Sequence, residues 1–165
     1  MGETPLNLSS LIPEGWRGKL PPCLIQVNAQ GELSHYGAPL IHPGILELIF
    51  QSVHLEDGVY VLRVGQQACE LEVEDTFFVV CRAEVAGGQA FVTLNDGSRE
   101  ELDPAGLWIG DGDVLYCRVK SGAFPARFQR QAYYQLAAHI EEEGEGFALT
   151  LGGARHPLAT APKNP

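Results

Sequence analysis

The fold is decided by the stretch His54-Leu55-Glu56-Asp57-Gly58-Val59-Tyr60-Val61-Leu62, in which an acidic turn is followed by a run of β-forming residues. The pattern returns about 85 residues later as His139-Ile140-Glu141-Glu142-Glu143-Gly144, followed by Phe147-Ala148-Leu149-Thr150-Leu151. Each copy comes after an apolar helical stretch that opens with Gly-Ala, at Gly37-Ala38 and at Gly122-Ala123. This spacing predicts a duplicated unit, and the interface between two similar halves is a favoured place for a ligand.

The composition indicates many short elements joined by turns. The chain has 165 residues with 19 Gly and 11 Pro, which is more than average usage predicts. This length allows one domain or two small fused halves with a buried core. We predict an α+β protein built from tandem antiparallel-sheet-plus-helix units. Its parts are an irregular segment over 1–22, a first half over 23–83, a second half over 84–158 and a disordered tail over 159–165.

The formal net charge of −10 argues against generic nucleic-acid binding, which depends on neutralising phosphates with Lys and Arg. The charge is unevenly distributed. Residues 20–98 contain ten acidic and two basic residues, whereas residues 105–165 contain six of each. The second half is therefore the better host for an anionic ligand.

The four cysteines, Cys23, Cys69, Cys81 and Cys117, are far apart and form no C-x-x-C pair. This spacing argues against zinc knuckles, thioredoxin-like sites and a disulfide framework. The first residues lack the regions of a secretion signal, and no stretch has the ~18 apolar residues of a membrane span. The sequence therefore predicts a cytoplasmic protein with reduced thiols.

One helix is predicted in each half. The first covers residues 45–53, is apolar on nearly all sides, and runs into the acidic Glu56-Asp57 turn. The second covers residues 125–142, where one stripe contains Phe128, Ala132, Leu136 and Ile140. Between the helices, alternating strands and the Asn95-Asp96-Gly97 turn indicate an antiparallel meander.

The main candidate site is a basic cluster in the second half. Arg118 and Lys120 share one face of a predicted strand, and Arg127 and Arg130 share one face of the predicted helix. The connection between them is short, so these groups could converge on an anion, with Tyr133 or Tyr134 available for stacking. From this cluster we select as ligand-binding residues Arg118, Arg127, Arg130 and Tyr133. The alternative is that the cations pair with the carboxylates of residues 141–145 or with the acidic first half.

Other functional patterns are weaker. The five histidines are isolated in sequence, which favours structural or exposed roles over metal ligation, and no motif indicates a cofactor or a phosphate-binding loop. There is no G-x-S-x-G motif, and Cys81 beside Arg82 is the thiol with the best claim to reactivity. The alternating Glu70, Glu72 and Glu74 predict either a solvated strand face or a docking strip for a basic protein partner.

The stretch from about Cys23 to Leu158 resembles an uncharacterised bacterial family, DUF 1285. Four segments carry the resemblance: Gly31-Glu32-Leu33-Ser34-His35-Tyr36-Gly37-Ala38-Pro39-Leu40, Glu56-Asp57-Gly58-Val59-Tyr60-Val61-Leu62, Val73-Glu74-Asp75-Thr76-Phe77-Phe78-Val79 and Arg130-Gln131-Ala132-Tyr133-Tyr134-Gln135-Leu136. None of the four is a catalytic motif.

The resemblance implies a duplicated α+β core whose second half is like a pleckstrin-homology barrel. It also implies a nucleotide-like ligand between the halves and a role in signal transduction. We therefore expect a non-enzymatic module that binds a small anionic ligand. The alternative is a protein-protein adaptor that uses the acidic strand face or the pleckstrin-like surface, and a cryptic hydrolase is the least favoured hypothesis.

Overall fold

The computed structural model describes residues 20–160, and its contacts divide the chain between Asp75 and Thr76 into two compact units, named unit 1 and unit 2. The sequence analysis puts this division after residue 83. The predicted irregular segment and tail fall mostly on residues 1–19 and 161–165, which lie outside the described residues. No helix in the described part of the chain has the length and apolar character needed to cross a membrane. The described residues are mainly β, with one α-helix in each unit.

Unit 1 consists of a mixed sheet and a helix. Its elements are β1 (Pro22–Val27), β2 (Leu33–His35), β3 (Ala38–Pro39), α1 (Pro43–Ser52), β4 (Val53–Glu56), β5 (Val59–Val64) and β6 (Gln67–Val73). The six strands lie in the order β3-β2-β1-β6-β5-β4. Neighbouring strands are antiparallel except β1 and β6, which are parallel.

The first predicted helix is confirmed as α1. His42 caps its N-terminus, because the side-chain Nδ1 accepts hydrogen bonds from two backbone N–H groups of the first turn at 3.1 and 3.3 Å. Pro43 fits the first helical position, where its missing N–H costs nothing. Ile49 is the fully buried residue of this helix.

The helix was predicted to run into the acidic turn, but it stops before that turn. It ends at Ser52, and Glu56 and Asp57 instead belong to the hairpin that joins β4 to β5. Glu56 accepts hydrogen bonds of 2.7 and 2.8 Å from Arg63 across this hairpin. The β-branched Val53, paired with β5, begins the strand at the point where the helix stops.

The hairpin between β2 and β3 has an unusual two-residue turn, Tyr36-Gly37. Both residues have a positive φ, 53° and 79°, which is the type I′ geometry that Asn-Gly adopts most readily. Tyr36 occupies a left-handed conformation although its side chain is 72% exposed. Burial of the ring therefore does not offset the backbone strain.

Unit 1 contains a disulfide bond between Cys23 on β1 and Cys69 on β6, and both residues are fully buried. The prediction of reduced thiols is therefore wrong for these two cysteines. They are separated by 46 positions in the chain but lie on strands that are neighbours in the sheet. Sequence spacing does not show this proximity because it depends on the parallel pairing of β1 with β6.

Unit 2 contains two sheets and a helix. Its elements are β7 (Phe78–Ala86), β8 (Gln89–Leu94), β9 (Arg99–Glu101), β10 (Trp108–Ile109), β11 (Leu115–Val119), β12 (Phe124–Phe128), α2 (Arg130–Ala137), β13 (Ile140–Glu143), β14 (Gly146–Leu151), β15 (Ala154–Pro157) and β16 (Ala159–Thr160). One sheet has the order β16-β10-β11-β12-β7-β8-β9, and the other has the order β13-β14-β15. None of the sheets formed by residues 20–160 closes into a barrel.

The core of unit 2 is organised around β7. Phe78, Val79 and Val80 are all buried, so both faces of this strand are covered. The strand is parallel to β12 and antiparallel to β8, which in turn pairs with β9. The predicted antiparallel meander is confirmed for β7, β8 and β9. The sheet as a whole is mixed, because β7 is parallel to β12.

The second helix is shorter than the predicted 125–142 span. Residues 124–128 form β12, in which Ala126 and Phe128 are buried in alternation. Of the predicted helical stripe, only Ala132 and Leu136 lie on α2, and both are buried. The strand is favoured because it completes two ladders, with β11 and with β7, and these tertiary hydrogen bonds override the helical periodicity.

Both units contain an α-helix followed by an antiparallel hairpin with an acidic turn. The order is α1-β4-β5 in unit 1 and α2-β13-β14 in unit 2. The first hairpin belongs to a six-stranded sheet and the second to a three-stranded sheet. The duplication therefore stays a prediction.

Two hairpin tips of unit 2 meet at glycine residues. A Cβ atom placed on Gly88, in the β7–β8 turn, would lie 3.4 Å from the Cα of Gly152, in the β14–β15 turn. A Cβ on Gly152 would lie 3.3 Å from the Cα of Gly88. The two sheets of this unit therefore touch backbone to backbone at this point.

Candidate functional site

Arg118 lies on β11, with its side chain packed against apolar neighbours. Its guanidinium carbon is 5.5 Å from the centre of the Trp108 ring. A Cβ on Gly106 would lie 3.5 Å from the Cβ of Arg118, so this glycine lies beside the stem of the side chain. Pro125 is the residue opposite Arg118 on β12. The guanidinium group therefore lies over the Trp108 ring, with the stem of the side chain beside Gly106.

The Trp108 ring is fixed in turn by Tyr116. The two residues are register partners on β10 and β11, and their rings stack with centroids 5.3 Å apart and planes 10° apart. A Cβ on Gly110 would lie only 2.7 Å from Cε2 of Tyr116. The absence of a side chain at position 110 therefore makes room for the tyrosine ring.

Arg127 lies on β12 rather than on the predicted helix. It is opposite Tyr116 in the ladder, so it shares a sheet face with Tyr116 and Arg118 and is a diagonal neighbour of Arg118. Its backbone N–H donates a hydrogen bond of 3.1 Å to the hydroxyl of buried Thr76. The structure therefore brings Arg118 and Arg127 together, but by strand pairing instead of helical spacing.

Lys120 was predicted to share a strand face with Arg118, but it does not. It follows the end of β11 in a turn, where it has a φ of 57°, and its Nζ lies 5.1 Å from the ring centre of the core residue Phe78. The ammonium group forms an ion pair of 2.7 Å with Asp96 and a hydrogen bond of 3.1 Å with Ser98. Lys120 therefore fastens the β8–β9 turn and is not available to a ligand.

The carboxyl group of Asp96 has a lowered pKa. Burial alone would raise the pKa, but hydrogen bonds from Lys120 and Ser98 and the positive charge of Lys120 outweigh it. The carboxylate is thus held in its charged form by its neighbours.

Arg130 and Tyr134 line a shallow groove on α2, together with Gln131 and Gln135. Arg130 and Tyr134 are four residues apart and so lie on one side of the helix. Tyr134 is 62% exposed, whereas Tyr133 is 36% exposed. The predicted stacking residue, Tyr133, is therefore adjacent to this groove, and its neighbour Tyr134 lines it.

One backbone contact orients the amide group of Gln135 in the groove, whose lining is mainly apolar. Oε1 of Gln135 accepts a hydrogen bond of 2.8 Å from the N–H of Ala83 on β7. Because the oxygen of this amide is engaged, its NH₂ group is the part that remains for a ligand. The groove therefore presents hydrogen-bond donors from both Arg130 and Gln135.

The N-terminus of α2 carries uncompensated positive charge. Gln129, the N-cap residue, makes no side-chain capping hydrogen bond, and the first turn contains no acidic residue. Arg130 occupies the first helical position, where a cation is disfavoured by the helix dipole. An anion at this end of the helix would remove the conflict.

The alternative pairing of the basic cluster with residues 141–145 is not formed by Arg118 or Arg130. Glu141 and Glu143 instead pair with Arg155, at 3.5 and 2.8 Å. Within the described part of the chain, neither Arg118 nor Arg130 forms an ion pair with a carboxylate. Both guanidinium groups therefore keep their donors for another molecule.

The acidic strip of unit 1 lies along β6 and its end. Glu70 and Glu72 are exposed and alternate with the buried Cys69 and Leu71, as the sequence pattern predicts. Glu72 accepts a weak hydrogen bond of 3.4 Å from Gln26, and Glu74 accepts one of 3.1 Å from the N–H of Ala29. These contacts connect the strip to β1 and the turn that follows it.

The free thiols are not activated. Burial and the negative charge of Asp96 raise the pKa of Cys81, and burial, assisted by the charge of Glu100, raises the pKa of Cys117. A nucleophilic cysteine needs the opposite shift. Among residues 20–160, no three His, Cys, Asp or Glu side chains converge in a way that could hold a metal ion.

The Trp108–Tyr116 stack and the glutamines of the groove are not among the residues predicted from the sequence. The stack could have been inferred, because Trp108 and Tyr116 flank a turn and fall opposite each other if that turn is a hairpin. The role of Gln135 could not have been inferred from the sequence, because it depends on the packing of α2 against β7.

Comparison with solved structures gives two similar chains. One is a DUF1285 family protein from Silicibacter pomeroyi DSS-3, with a TM-score of 0.69 and 22% identity, covering 83% of this chain and 80% of that one. The other is a DUF1285 family protein from Shewanella baltica OS155, with a TM-score of 0.60 and 21% identity, covering 70% of this chain and 91% of that one. This chain has the DUF1285 fold.

The DUF1285 resemblance predicted from the four sequence segments is confirmed by these structures. No protein-family model and no curated protein matches the chain. At this level of identity the similarity to DUF1285 proteins establishes the fold alone, so any function has to be argued from the residues of this chain.

Proposed function

We propose that this protein is a non-enzymatic module that binds a small anionic, nucleotide-like ligand in the α2 groove, defined as Arg130, Gln131, Tyr134 and Gln135. The observation that carries the proposal is the position of an unpaired arginine at an uncapped helix N-terminus, one turn from an exposed tyrosine. Backbone N–H groups at such a terminus favour negative charge.

Each group in the α2 groove has a role in this proposal. The guanidinium of Arg130 supplies a charge-assisted hydrogen bond to a phosphate or carboxylate oxygen. The exposed ring of Tyr134 offers a face for stacking against an aromatic base. The NH₂ of Gln135, oriented by the N–H of Ala83, donates a further hydrogen bond. The expected site between the two halves and the role in signalling stay predictions.

The raised pKa values of the two free thiols favour a binding function over a cysteine-dependent reaction. The pKa of Cys81 is raised by burial, and so is that of Cys117. A cysteine with a raised pKa is mostly protonated at neutral pH and is a poor nucleophile. This observation makes the cryptic hydrolase the weakest of the three hypotheses.

The test is isothermal titration of the protein with nucleoside monophosphates and with cyclic and linear dinucleotides. Arg130→Ala should weaken the binding about ten-fold or more, because one charge-assisted hydrogen bond is lost. Tyr134→Ala should weaken it by a similar factor through the loss of stacking.

Two variants provide matched controls. Arg82→Ala removes an exposed arginine of the same unit and should bind as the unmodified protein does. Tyr133→Ala removes a ring outside the groove whose centroid is 5.5 Å from that of Tyr134, so it should weaken binding less than Tyr134→Ala. Absence of heat with every ligand, or equal losses in Tyr133→Ala and Tyr134→Ala, would contradict the proposal.

A further inference from the structure

Half of the basic residues that the structure describes are paired with carboxylates. Arg63 pairs with Glu56, Arg99 with Glu84, Lys120 with Asp96, and Arg155 with Glu141 and Glu143. Arg118 differs, because the contact found for it in the described residues is with the ring of Trp108. Its N–H donors therefore have no carboxylate partner within residues 20–160.

Arg118 is also packed against several neighbouring residues. Gly106 lies beside its stem, and Pro125 lies opposite it on the next strand. Trp108 supports the guanidinium and is itself stacked on Tyr116. Packing of this kind lowers the entropic cost of ordering the side chain when a ligand binds.

We propose that Arg118 is the anchor of a second binding site, which takes a carboxylate attached to an apolar body. The planar fork of a guanidinium group matches a carboxylate through two parallel hydrogen bonds. The surrounding surface, formed by Trp108, Pro125 and Gly106, suits an apolar body. This site is separate from the α2 groove, and it does not depend on the function proposed for that groove.

The charge of the protein favours a carboxylate over a phosphate at this site. The chain has a formal net charge of −10, and each additional negative charge on a ligand adds to the repulsion. A carboxylate brings one negative charge, whereas a phosphate brings close to two at neutral pH. The guanidinium of Arg118 neutralises the first charge. Neutralising the second would depend on Arg127, the diagonal neighbour on β12, which already has an interaction of its own.

Trp108 provides a direct readout of binding. The chain has two tryptophans, so the Trp16→Phe variant leaves Trp108 as the single tryptophan. The experiment is a fluorescence titration of this variant with 3-phenylpropionate, its neutral amide, acetate and inorganic phosphate. We expect saturable quenching or a spectral shift with 3-phenylpropionate, and at least about ten-fold weaker binding of the other three ligands.

Variants of the arginine separate binding from folding. Arg118→Lys keeps the charge over the Trp108 ring but loses the fork, and it should weaken binding of 3-phenylpropionate about ten-fold. Arg118→Ala should abolish the binding. Arg82→Ala and Arg130→Ala should leave it unchanged, and the Arg130 variant distinguishes this site from the α2 groove. Near-UV circular dichroism of Trp108 checks that the aromatic stack is intact in each variant.

A final arm identifies the source of the carboxylate. The ligand here is a tripeptide with an apolar C-terminal residue, tested as the free acid and as the amide. If the tripeptide acid binds more tightly than 3-phenylpropionate does, the site is assigned to a protein C-terminus. Weaker binding would assign it to a small-molecule carboxylate. The proposal is overturned if phosphate binds as well as 3-phenylpropionate, if Arg118→Ala still binds, or if no ligand changes Trp108 at 10 mM, about ten times the dissociation constant of a weak site.

Discussion

Unit 1 and unit 2 are both small, sheet-rich bodies, but they are held together by different means. Unit 1 has a buried covalent bond between Cys23 and Cys69. Unit 2 keeps two free thiols, Cys81 and Cys117, and has a central strand, β7, that is buried on both faces at its start. Unit 1 also has a strand that is buried on both faces, β5 over residues 60–62. The crosslink is therefore what distinguishes the two units, and it adds to the small core that a unit of this size can build.

We expect the largest change in stability from removing the disulfide bond of unit 1. A disulfide closing a loop of 46 residues stabilises by about 4 kcal/mol in the chain-entropy model. We expect the Cys23→Ser/Cys69→Ser variant to lose about this much in the stability of unit 1, measured by hydrogen exchange of β5 amides. As a control, fluorescence measured in the Trp16→Phe background, where Trp108 is the single tryptophan, should report an unchanged unit 2. An equal loss in both units would contradict the separate roles assigned to them.

In unit 2 the corresponding weak point is steric. Gly110→Ala places a Cβ 2.7 Å from the ring of Tyr116 and should cost about 1 to 3 kcal/mol through overpacking. The matched control is Gly146→Ala in the same unit, since a Cβ at that position meets no atom within 4 Å. Denaturant unfolding followed by Trp108 fluorescence measures both. If the two variants are equally stable, Gly110 does not make room for the ring.

A smaller effect concerns the ion pair that fastens the β8–β9 turn. The lowered pKa of Asp96 means that the native state favours its charged form, so the stability it contributes is present above about pH 4 and is lost as the pH falls below it. At pH 7, Asp96→Asn should destabilise unit 2 by about 1 to 2 kcal/mol. The difference from the unmodified protein should shrink towards zero near pH 2. A pH-independent difference would mean that the charge is not the cause.

The smallest effect is expected to be a gain in unit 1. Tyr36→Asn replaces a strained residue with the one that the type I′ turn prefers, and it should stabilise unit 1 by about 0.5 to 1 kcal/mol. Gly37→Ala at the next position, where φ is 79°, should have the opposite sign. Thermal unfolding of the two variants measures the difference between them. A loss of stability with Asn would mean that the exposed tyrosine ring makes a contact worth more than its strain.

Much of the local structure could be predicted from the sequence, because its signals are local. Pro43 and the apolar residues after it define α1, and the Asn95-Asp96-Gly97 turn locates a hairpin. The exposed glutamates of β6 follow from simple alternation. In each of these cases the residue types and the neighbours that determine the structure lie within one element.

The errors have one cause in common, which is pairing between segments that are distant in the chain. Residues 124–128 have helical periodicity but form β12 because β7 and β11 offer hydrogen bonds to both of its edges. Cys23 and Cys69 meet because β1 and β6 are parallel neighbours.

The geometry of the candidate site also depends on pairing between distant segments. Arg118 and Arg127 were expected to meet across a strand and a helix, and they lie instead on adjacent strands. The choice of Tyr133 over Tyr134 depended on which side of α2 faces the core. That orientation is set by the burial of Ala132 and Leu136, which the sequence showed as one stripe without fixing the position of the groove.

The contact between Gly88 and Gly152 has a consequence for how this protein can vary. With backbone atoms of the two turns this close, a side chain at Gly88 or Gly152 would require the facing turn to shift by a few tenths of an ångström. We expect the two positions to change together among relatives, with a longer or bulkier tip on one hairpin accompanied by a shortened tip on the other. Loop grafts for engineering should therefore leave these two turns intact and use the β4–β5 turn, where a Cβ on Gly58 meets no atom within 4 Å.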